Sequence, residues 1–131
     1  MTIKKVFLID DDEDSNFLNS WVLKKEVTED VVIEQSASNA LVFLRTNAGE
    51  TDNLPDVILL DLRMPLMDGF TFLEEYEKLP LCVHEKCRIF ILTSSFDQED
   101  YEKAASNPYV AGYLKKPLSV EHIMKLPVSF V

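Results

Sequence analysis

Four short apolar segments of the chain each end in residues that can do chemistry. Two end in carboxylates, one in hydroxyls and one in an ammonium, and these residues are Asp10 and Asp11, Asp61, Thr93 and Ser94, and Lys116. Carboxylates that pack together repel one another, so they need either raised pKa values or a cation. Their oxygens suit a hard cation such as Mg²⁺, which keeps waters that a substrate oxygen can replace. A lysine and a hydroxyl opposite that cation would bind an anion, and a phosphoryl group satisfies both halves of the site. A carboxylate can itself accept that group as an aspartyl phosphate.

These groups meet only if the apolar segments form one parallel sheet. Short apolar runs with β-branched residues are typical of strands buried on both faces, and here they alternate with helical periodicity. The predicted strands are residues 6–9, 31–33, 57–60, 88–92 and 110–114. Five helices are predicted. The first is residues 14–26, the second runs from a cap at Ser36 or Ser38 to about residue 48, and the third is residues 69–78. A connecting loop at 80–86 precedes the fourth helix, which runs from a cap at Ser95 to about residue 105, and the fifth is residues 120–126. This alternation predicts an α/β fold with an open parallel sheet and helices on both faces. Ligands of such sheets bind at the carboxyl ends of the strands, where all four groups lie.

Helical spacing also predicts the apolar side of each helix. A stripe recurs in the first helix, and inward-facing residues are predicted in the second and third. In chain order these are Phe17, Leu18, Trp21 and Val22, then Ala40, Leu41 and Leu44, then Phe70, Leu73 and Tyr76.

Composition narrows the class of protein. The 131 residues suit one domain, with 47% hydrophobic and 27% charged residues. The formal net charge of −10 disfavours nucleic acid and anionic membranes as partners. Cys82 and Cys87 are too few for a disulfide scaffold and have no companion pair for zinc, so we expect reduced thiols and a cytoplasmic protein. We expect no signal peptide, and no apolar run in the sequence is long enough to span a membrane.

The four groups together resemble the receiver domain of response regulators in bacterial two-component signalling. The resemblance rests on the acidic pair after the first strand, DLRMPLMDG at residues 61–69, Thr93-Ser94 after the fourth strand and Lys116-Pro117 after the fifth. Each piece is weak alone, but four pieces in order at the right strand ends are specific. The resemblance covers nearly the whole chain, so residues 1–131 are interpreted as one receiver domain. It implies a doubly wound, flavodoxin-like (βα)5 fold whose five parallel strands lie in the order 2-1-3-4-5.

The resemblance implies how the acidic residues and the lysine would act. Asp61 would be the phosphoacceptor, and Lys116 would pair with it and later with the phosphoryl oxygens. Mg²⁺, or Mn²⁺, would be the cofactor. Its ligands would be Asp11 directly, Asp10 directly or through water, Asp61, and the backbone carbonyl of Arg63.

The resemblance also assigns the remaining residues at this edge of the sheet. Thr93 would hydrogen-bond the phosphoryl group, and the small Ser94 would leave room for it. Tyr113 matches the switch aromatic of the family, whose rotamer is coupled to the hydroxyl residue. That coupling would carry the signal to the face made by the fourth predicted helix, the fifth strand and the last helix. The bond between Lys116 and Pro117 would be cis, a rarity for X-Pro bonds in general.

The function implied is phosphorelay signalling by a stand-alone receiver. The phosphodonor would be a sensor histidine kinase or a histidine phosphotransfer protein, and the output would be a switched surface that binds a downstream protein target. We expect no nucleic-acid or membrane partner, and a homodimer stays open because the last helix commonly serves dimers in this class. The protein would not be an enzyme on other substrates and would catalyse only its own phosphorylation and dephosphorylation. A receiver-like binding module that works without phosphate is the alternative.

A phosphatase or phosphotransferase of the haloacid dehalogenase type uses a similar set of residues. Its D-x-D motif could be Asp10 and Asp12. That class also needs an acidic pair after the lysine, whereas only Glu121 follows Lys116, and Asp14 stands where Thr or Val is expected. The sequence therefore disfavours this class.

A calcium-binding loop of the EF-hand kind would place ligands at Asp10, Asp12 and Asp14. Ser15 then stands where glycine is required, and Trp21 where the bidentate glutamate belongs. The sequence excludes this loop.

Overall fold

The computed structural model describes residues 3–94, 96–119 and 121–122. Strands and helices alternate along the chain as β1 (Val6–Ile9), α1 (Glu13–Glu26), β2 (Val31–Glu34), α2 (Ala37–Thr46), a 3-10 turn (Thr51–Asn53), β3 (Val57–Leu60), α3 (Gly69–Glu77), α4 (Leu81–Lys86), β4 (Arg88–Thr93), α5 (Gln98–Ala105) and β5 (Val110–Lys115). All five strands lie within one residue of their predicted bounds. Of the predicted last helix, Glu121 and His122 are helical and the other residues lie outside the described part of the chain.

The five strands form one sheet in the order β2-β1-β3-β4-β5, and every neighbouring pair is parallel. The α/β class, the open parallel sheet and the strand order 2-1-3-4-5 are therefore confirmed. Both faces of the sheet are covered, which explains why β1 and β3 are apolar at every position. None of the helices within the described ranges is both long and apolar enough to cross a membrane.

Alternate residues of the strands supply two separate hydrophobic cores. One core packs against α2 and α3, and its strand residues are Phe7, Ile9, Ile58, Leu60, Ile89, Ile91 and Val110. The other packs against Leu23 of α1 and Leu118, and its strand residues are Val6, Leu8, Val57, Leu59, Phe90, Leu92 and Leu114. The predicted inward residues Ala40, Leu41, Leu44, Leu73 and Tyr76 are buried, whereas Phe70 is only partly buried.

The prediction of a loop at residues 80–86 is wrong, because Leu81–Lys86 forms the short helix α4. Pro80 precedes its first turn, and Val83 is buried in the core. Six residues span less than two turns, so hydrophobic periodicity has too few positions to reveal such a helix. Because α4 intervenes, the fourth predicted helix is α5 in the structure.

The cap predicted for that helix is also wrong. Asp97, rather than Ser95, is the N-cap of α5, and its side chain accepts a hydrogen bond of 3.0 Å from the backbone N–H of Asp100. The helix therefore begins at Gln98, two residues later than a capping box at Ser95 would place it.

Helix α1 turns its aromatic stripe outward, contrary to the usual pattern for an amphipathic helix. Phe17, Leu18 and Trp21 are more than half exposed and only Val22 of the predicted stripe packs against a core, while Asn16 and Asn19 are buried. The amide of Asn16 donates to the carbonyl of Asp10 (2.8 Å), and Asn19 accepts from the N–H of Leu118 (3.0 Å). Two asparagines face the sheet because they satisfy backbone groups there.

Candidate functional site

The register of the sheet brings two carboxylates together. Ile9 pairs with Leu60, so Asp10 and Asp61 follow these residues side by side at the carboxyl edge. The N–H of Asp61 donates to the carbonyl of Ile9 (3.0 Å), which extends the pairing of β1 and β3 by one residue, to Asp61. Asp10 is 1% exposed and Asp61 is 7% exposed. Two buried carboxylates in contact require a neighbouring positive charge or a bound proton.

Lys116 supplies that positive charge from the end of β5. Its Nζ donates to Oδ2 of Asp10 in a short ion pair and lies 3.8 Å from Oδ2 of Asp61. The ammonium is therefore shared between the two carboxylates, with the closer contact to Asp10. Its backbone N–H donates to the carbonyl of Thr93 (2.6 Å), and the bond between Lys116 and Pro117 is cis, as the resemblance implied.

The environment of Asp61 disfavours its charged form. Burial is the main cause, the charge of Lys116 opposes it, and the neighbouring Asp10 adds to it, with the net result that the pKa of Asp61 rises from 3.8 to about 6. At neutral pH the group is still ionised, but it is a more basic carboxylate than one in water. A basic, partly desolvated carboxylate is suited to act as a nucleophile.

Three carboxylates at this edge fit a hard cation. Oxygens of Asp10, Asp11 and Asp61 all lie within 4.8 Å of one another, and Asp11 is the exposed member. The backbone nitrogen of Arg63 lies 3.4 Å from Oδ1 of Asp61, so the residue predicted to give a carbonyl ligand has its backbone beside that carboxylate. Carboxylate oxygens on an open edge are the donor set that Mg²⁺ prefers, with room for waters.

The predicted hydroxyl residues end the next strand. Thr93 is the last residue of β4, is 4% exposed and pairs with Lys115 of β5. Ser94 follows it and is exposed. The structure thus brings Thr93 to the same edge as Asp61 and Lys116, while Ser94 lies at its outer rim.

The predicted switch residue Tyr113 lies on β5 against α5. Its ring makes edge-on contacts with Tyr101 (5.3 Å between centroids) and with Phe96 (6.2 Å). Its hydroxyl is buried and makes no hydrogen bond of ordinary geometry within the described part of the chain.

Two interactions at the site were missed from the sequence. Arg63 forms an ion pair with Asp100 of α5, which ties the loop after β3 to that helix. No sequence pattern links two residues 37 positions apart. Asp12 caps α1 by accepting from the N–H of Asp14 (3.1 Å), and this cap was detectable as an aspartate directly before a helical run.

Comparison with known proteins decides the family. The model of the response regulator receiver domain matches residues 6–126. The chain belongs to this family. The receiver domain acts in two-component signalling, and phosphorylation and Mg²⁺ binding are typical of the family. These typical properties agree with the edge of carboxylates, lysine and hydroxyl described above.

Similar solved structures are themselves receivers. A two-component response regulator from Cytophaga hutchinsonii superposes with a TM-score of 0.88 at 28% identity, covering 96% of this chain and 95% of that one. A response regulator receiver protein from Dyadobacter fermentans gives 0.82 at 35% identity, covering 94% of each chain.

The receiver is also similar to part of longer proteins. The DNA-binding transcriptional regulator NtrC of Proteus hauseri is 31% identical over 128 residues, which is 92% of this chain and 23% of the relative. Another curated relative is covered over 54% of its length. The chain thus spans about half or less of the length of these two relatives.

Proposed function

We propose that this receiver takes a phosphoryl group on Asp61 from a phosphohistidine, carried by a sensor histidine kinase or a histidine phosphotransfer protein. The new charge would then change a surface that binds a downstream protein. The observation that carries the proposal is the buried pair of Asp10 and Asp61, bridged by Lys116 at the edge where the strands end. Two buried carboxylates that share one lysine are not fully compensated, which is an arrangement that stability alone would not favour.

The chain's own residues account for the chemistry. An oxygen of Asp61 forms a bond to phosphorus while the bond from phosphorus to the histidine nitrogen breaks, and the imidazole leaves. Lys116 lies 3.8 Å from Asp61 and can follow the phosphoryl oxygens, whose charge it offsets. When bound by Asp10, Asp11, Asp61 and the Arg63 carbonyl, Mg²⁺ would neutralise the charge that gathers on those oxygens. Attack of water on phosphorus later releases inorganic phosphate and restores the carboxylate.

The conformational change that follows phosphorylation would be transmitted through β5 and α5. Thr93 ends β4 beside Lys116, so its hydroxyl can hydrogen-bond a phosphoryl group on Asp61. A shift of Thr93 would make space toward Tyr113, which already contacts Tyr101 of α5. The active state would be a minor conformer of the free protein whose population phosphorylation raises.

Intact mass after incubation with Mg²⁺ and phosphoramidate tests the proposal. Phosphoramidate breaks the same kind of bond between phosphorus and nitrogen as phosphohistidine does. We expect one phosphoryl adduct on the wild type and none on Asp61→Asn. The matched control is Asp68→Asn, because asparagine can still cap α3 from that position. Asp11→Ala should bind Mg²⁺ more weakly in a titration, since it removes one of the three clustered carboxylates.

An adduct that persists in Asp61→Asn would place the acceptor elsewhere. If the wild type takes no phosphate, beryllofluoride provides the second measurement, because it mimics a phosphoryl group on an aspartate. Shifts in the NMR spectrum of the wild type, absent in Asp61→Asn, would retain the site and reject only the donor. An unchanged spectrum would favour the alternative, a binding module that works without phosphate.

A further inference from the structure

The loop that joins β3 to α3 is fixed at both ends. The N–H of Gly69 donates to the carbonyl of Leu62 (3.0 Å), and Asp68 caps α3 by accepting from the N–H of Thr71 (2.9 Å). A side chain at Gly69 would lie 2.8 Å from the carbonyl oxygen of Asp61, so only glycine allows this closure. Leu62 and Met64 are buried and anchor the first half of the loop. The middle of the loop is therefore held in place rather than free to choose its conformation.

Leu66 stands at the tip of this loop in a costly conformation. Its φ is 68°, and it is the one non-glycine residue with positive φ in the described part of the chain. The N–H of Met67 donates back to the carbonyl of Pro65 (2.7 Å), so Leu66 is the centre of a γ-turn of the rare, strained kind. Glycine or asparagine adopts positive φ at lower cost than leucine. Local strain that the surrounding structure maintains is a marker of functional positions.

The side chain of Leu66 is not buried by the fold, so burial does not offset the cost of its backbone conformation. Its relative exposure is 110%, so it is as open to solvent as in an extended peptide. A single exposed leucine is ordinary in a folded protein, but one that also occupies a strained backbone position is not. Neither backbone preference nor packing explains a leucine here, which leaves contact with another molecule.

The position of the loop indicates which molecule. Leu66 lies five residues after Asp61, on the loop that leaves the acceptor strand. Any protein that brings a phosphohistidine within bonding distance of Asp61 must cover the rim of this edge. The rim on the side of α1 is formed by exposed acids, Asp11, Asp12, Glu13 and Asp14. The rim is therefore acidic at α1 and apolar at Leu66.

We propose that Leu66 is an apolar anchor for the protein phosphodonor, inserted into a hydrophobic depression beside that donor's phosphohistidine. The inference rests on the proposed function and goes beyond it by naming a residue that selects the donor. The acidic rim gives the second half of the recognition, since it would face basic residues of the donor. Removing Leu66 should slow transfer from a protein and leave transfer from a small molecule unchanged, because only the protein has a surface to dock.

The test compares the two kinds of donor on Leu66→Asn. Asparagine is close in size, is polar and tolerates positive φ, so the variant should unfold in urea at the same or a higher midpoint than the wild type. The small donor is phosphoramidate with Mg²⁺. The protein donors are the autophosphorylated histidine kinases of the genome that encodes this chain, screened for the fastest transfer to the wild type. We expect kcat/KM for that kinase to fall about tenfold, the effect of one lost leucine-sized contact.

Two control variants separate the anchor from a general effect. Leu66→Met stays apolar and should keep the transfer rate of the wild type. Leu81→Asn makes the same change at an exposed leucine of α4, which precedes β4 at the other edge of the sheet, and should also transfer normally.

Two results would overturn the proposal. One is an unchanged rate from the kinase to Leu66→Asn. The other is a parallel fall with phosphoramidate and kinase, which would mean that the loop acts on the chemistry rather than on docking. A wild type that accepts phosphate from neither donor would refute the proposed function first, and the anchor with it.

Discussion

Replacing Asp61, the proposed phosphoacceptor, should make the protein more stable. Asp61 is 7% exposed and shares Lys116 with Asp10, so its negative charge is poorly compensated in the folded state. Asparagine has the same shape and no charge. We therefore expect Asp61→Asn to raise the free energy of unfolding at neutral pH in buffer without Mg²⁺, although the variant cannot be phosphorylated on that residue.

The pKa of Asp61 gives the size of the effect. The rise from 3.8 to about 6 corresponds to about 3 kcal/mol, at about 1.4 kcal/mol for each unit. The shift already includes the favourable charge of Lys116, and water at the open side of the site screens part of the remaining cost. We expect Asp61→Asn to raise the free energy of unfolding by about 1–2 kcal/mol at about pH 7.5.

The pH dependence follows from the direction of the pKa shift. A carboxyl group whose folded pKa is raised favours folding while it is protonated, and this contribution is lost as the pH rises through about 6. The amide that replaces the carboxyl group in Asp61→Asn does not titrate. The gain in stability should therefore be largest above pH 6 and should shrink by about 1 kcal/mol on going down to about pH 5. Urea unfolding followed by circular dichroism at several pH values measures it.

Asp56 is a matched control with the opposite sign. It is also 7% exposed but lies at the other end of β3. Burial disfavours its charge, but hydrogen bonds from Lys86 and from the backbone of Lys4 and Lys5 outweigh burial and lower its pKa. Asp56→Asn should lower the free energy of unfolding by about 1–3 kcal/mol.

The reasoning on Asp61 would be refuted by either of two results. The first is an Asp61→Asn variant that is no more stable than the wild type at about pH 7.5. The second is a gain that does not change between about pH 7.5 and about pH 5, because a gain without pH dependence would not come from the carboxyl charge.

Three further predictions concern the residues around the acceptor. Lys116→Met leaves two buried carboxylates facing each other, so it should lower the free energy of unfolding in urea by about 3 kcal/mol. It should also raise the pKa of Asp61 further, as measured by an NMR titration of the carboxyl carbon, and an unchanged pKa would contradict the shared ion pair. Gly69→Ala should cost about 1–3 kcal/mol because its Cβ would meet backbone atoms at 2.8 Å, whereas Gly49→Ala, with nothing within 4 Å, should not destabilise the protein; equal midpoints would contradict the close approach at Gly69. Thr93→Ala should accept phosphate, as judged by intact mass, but should lose the NMR shifts that phosphorylation produces in α5, and shifts equal to those of the wild type would remove Thr93 from the switch.

The sequence was sufficient for the architecture because the information is local. Every residue of β1 and β3 is apolar, since both faces of a parallel sheet are covered, and the chemical residues follow directly at the strand ends. Once the strands are known to be parallel, their carboxyl ends must share one edge. For that reason the sequence alone assigns Asp10, Asp61, Thr93 and Lys116 to one edge of the sheet.

Periodicity failed where buried polar residues bind the backbone of distant elements. In α1 the apolar stripe predicts an inward face, yet the helix buries Asn16 and Asn19 and exposes Trp21. The two asparagines complete hydrogen bonds to Asp10 and Leu118, and those partners are set by the tertiary fold. An amphipathic pattern carries no information about such bonds.

The sequence by itself determined which residues reach the edge of the sheet, because strand direction and length are encoded in neighbouring positions. Only the tertiary structure decided which of these charged residues form ion pairs with one another. Lys116 lies closer to Asp10 than to Asp61, and Arg63 reaches Asp100 of α5, since ion pairs depend on distances between side chains that are far apart in the chain. The same holds for Leu66: its strained, exposed position follows from how the ends of its loop are fixed, which no pattern of residue types records.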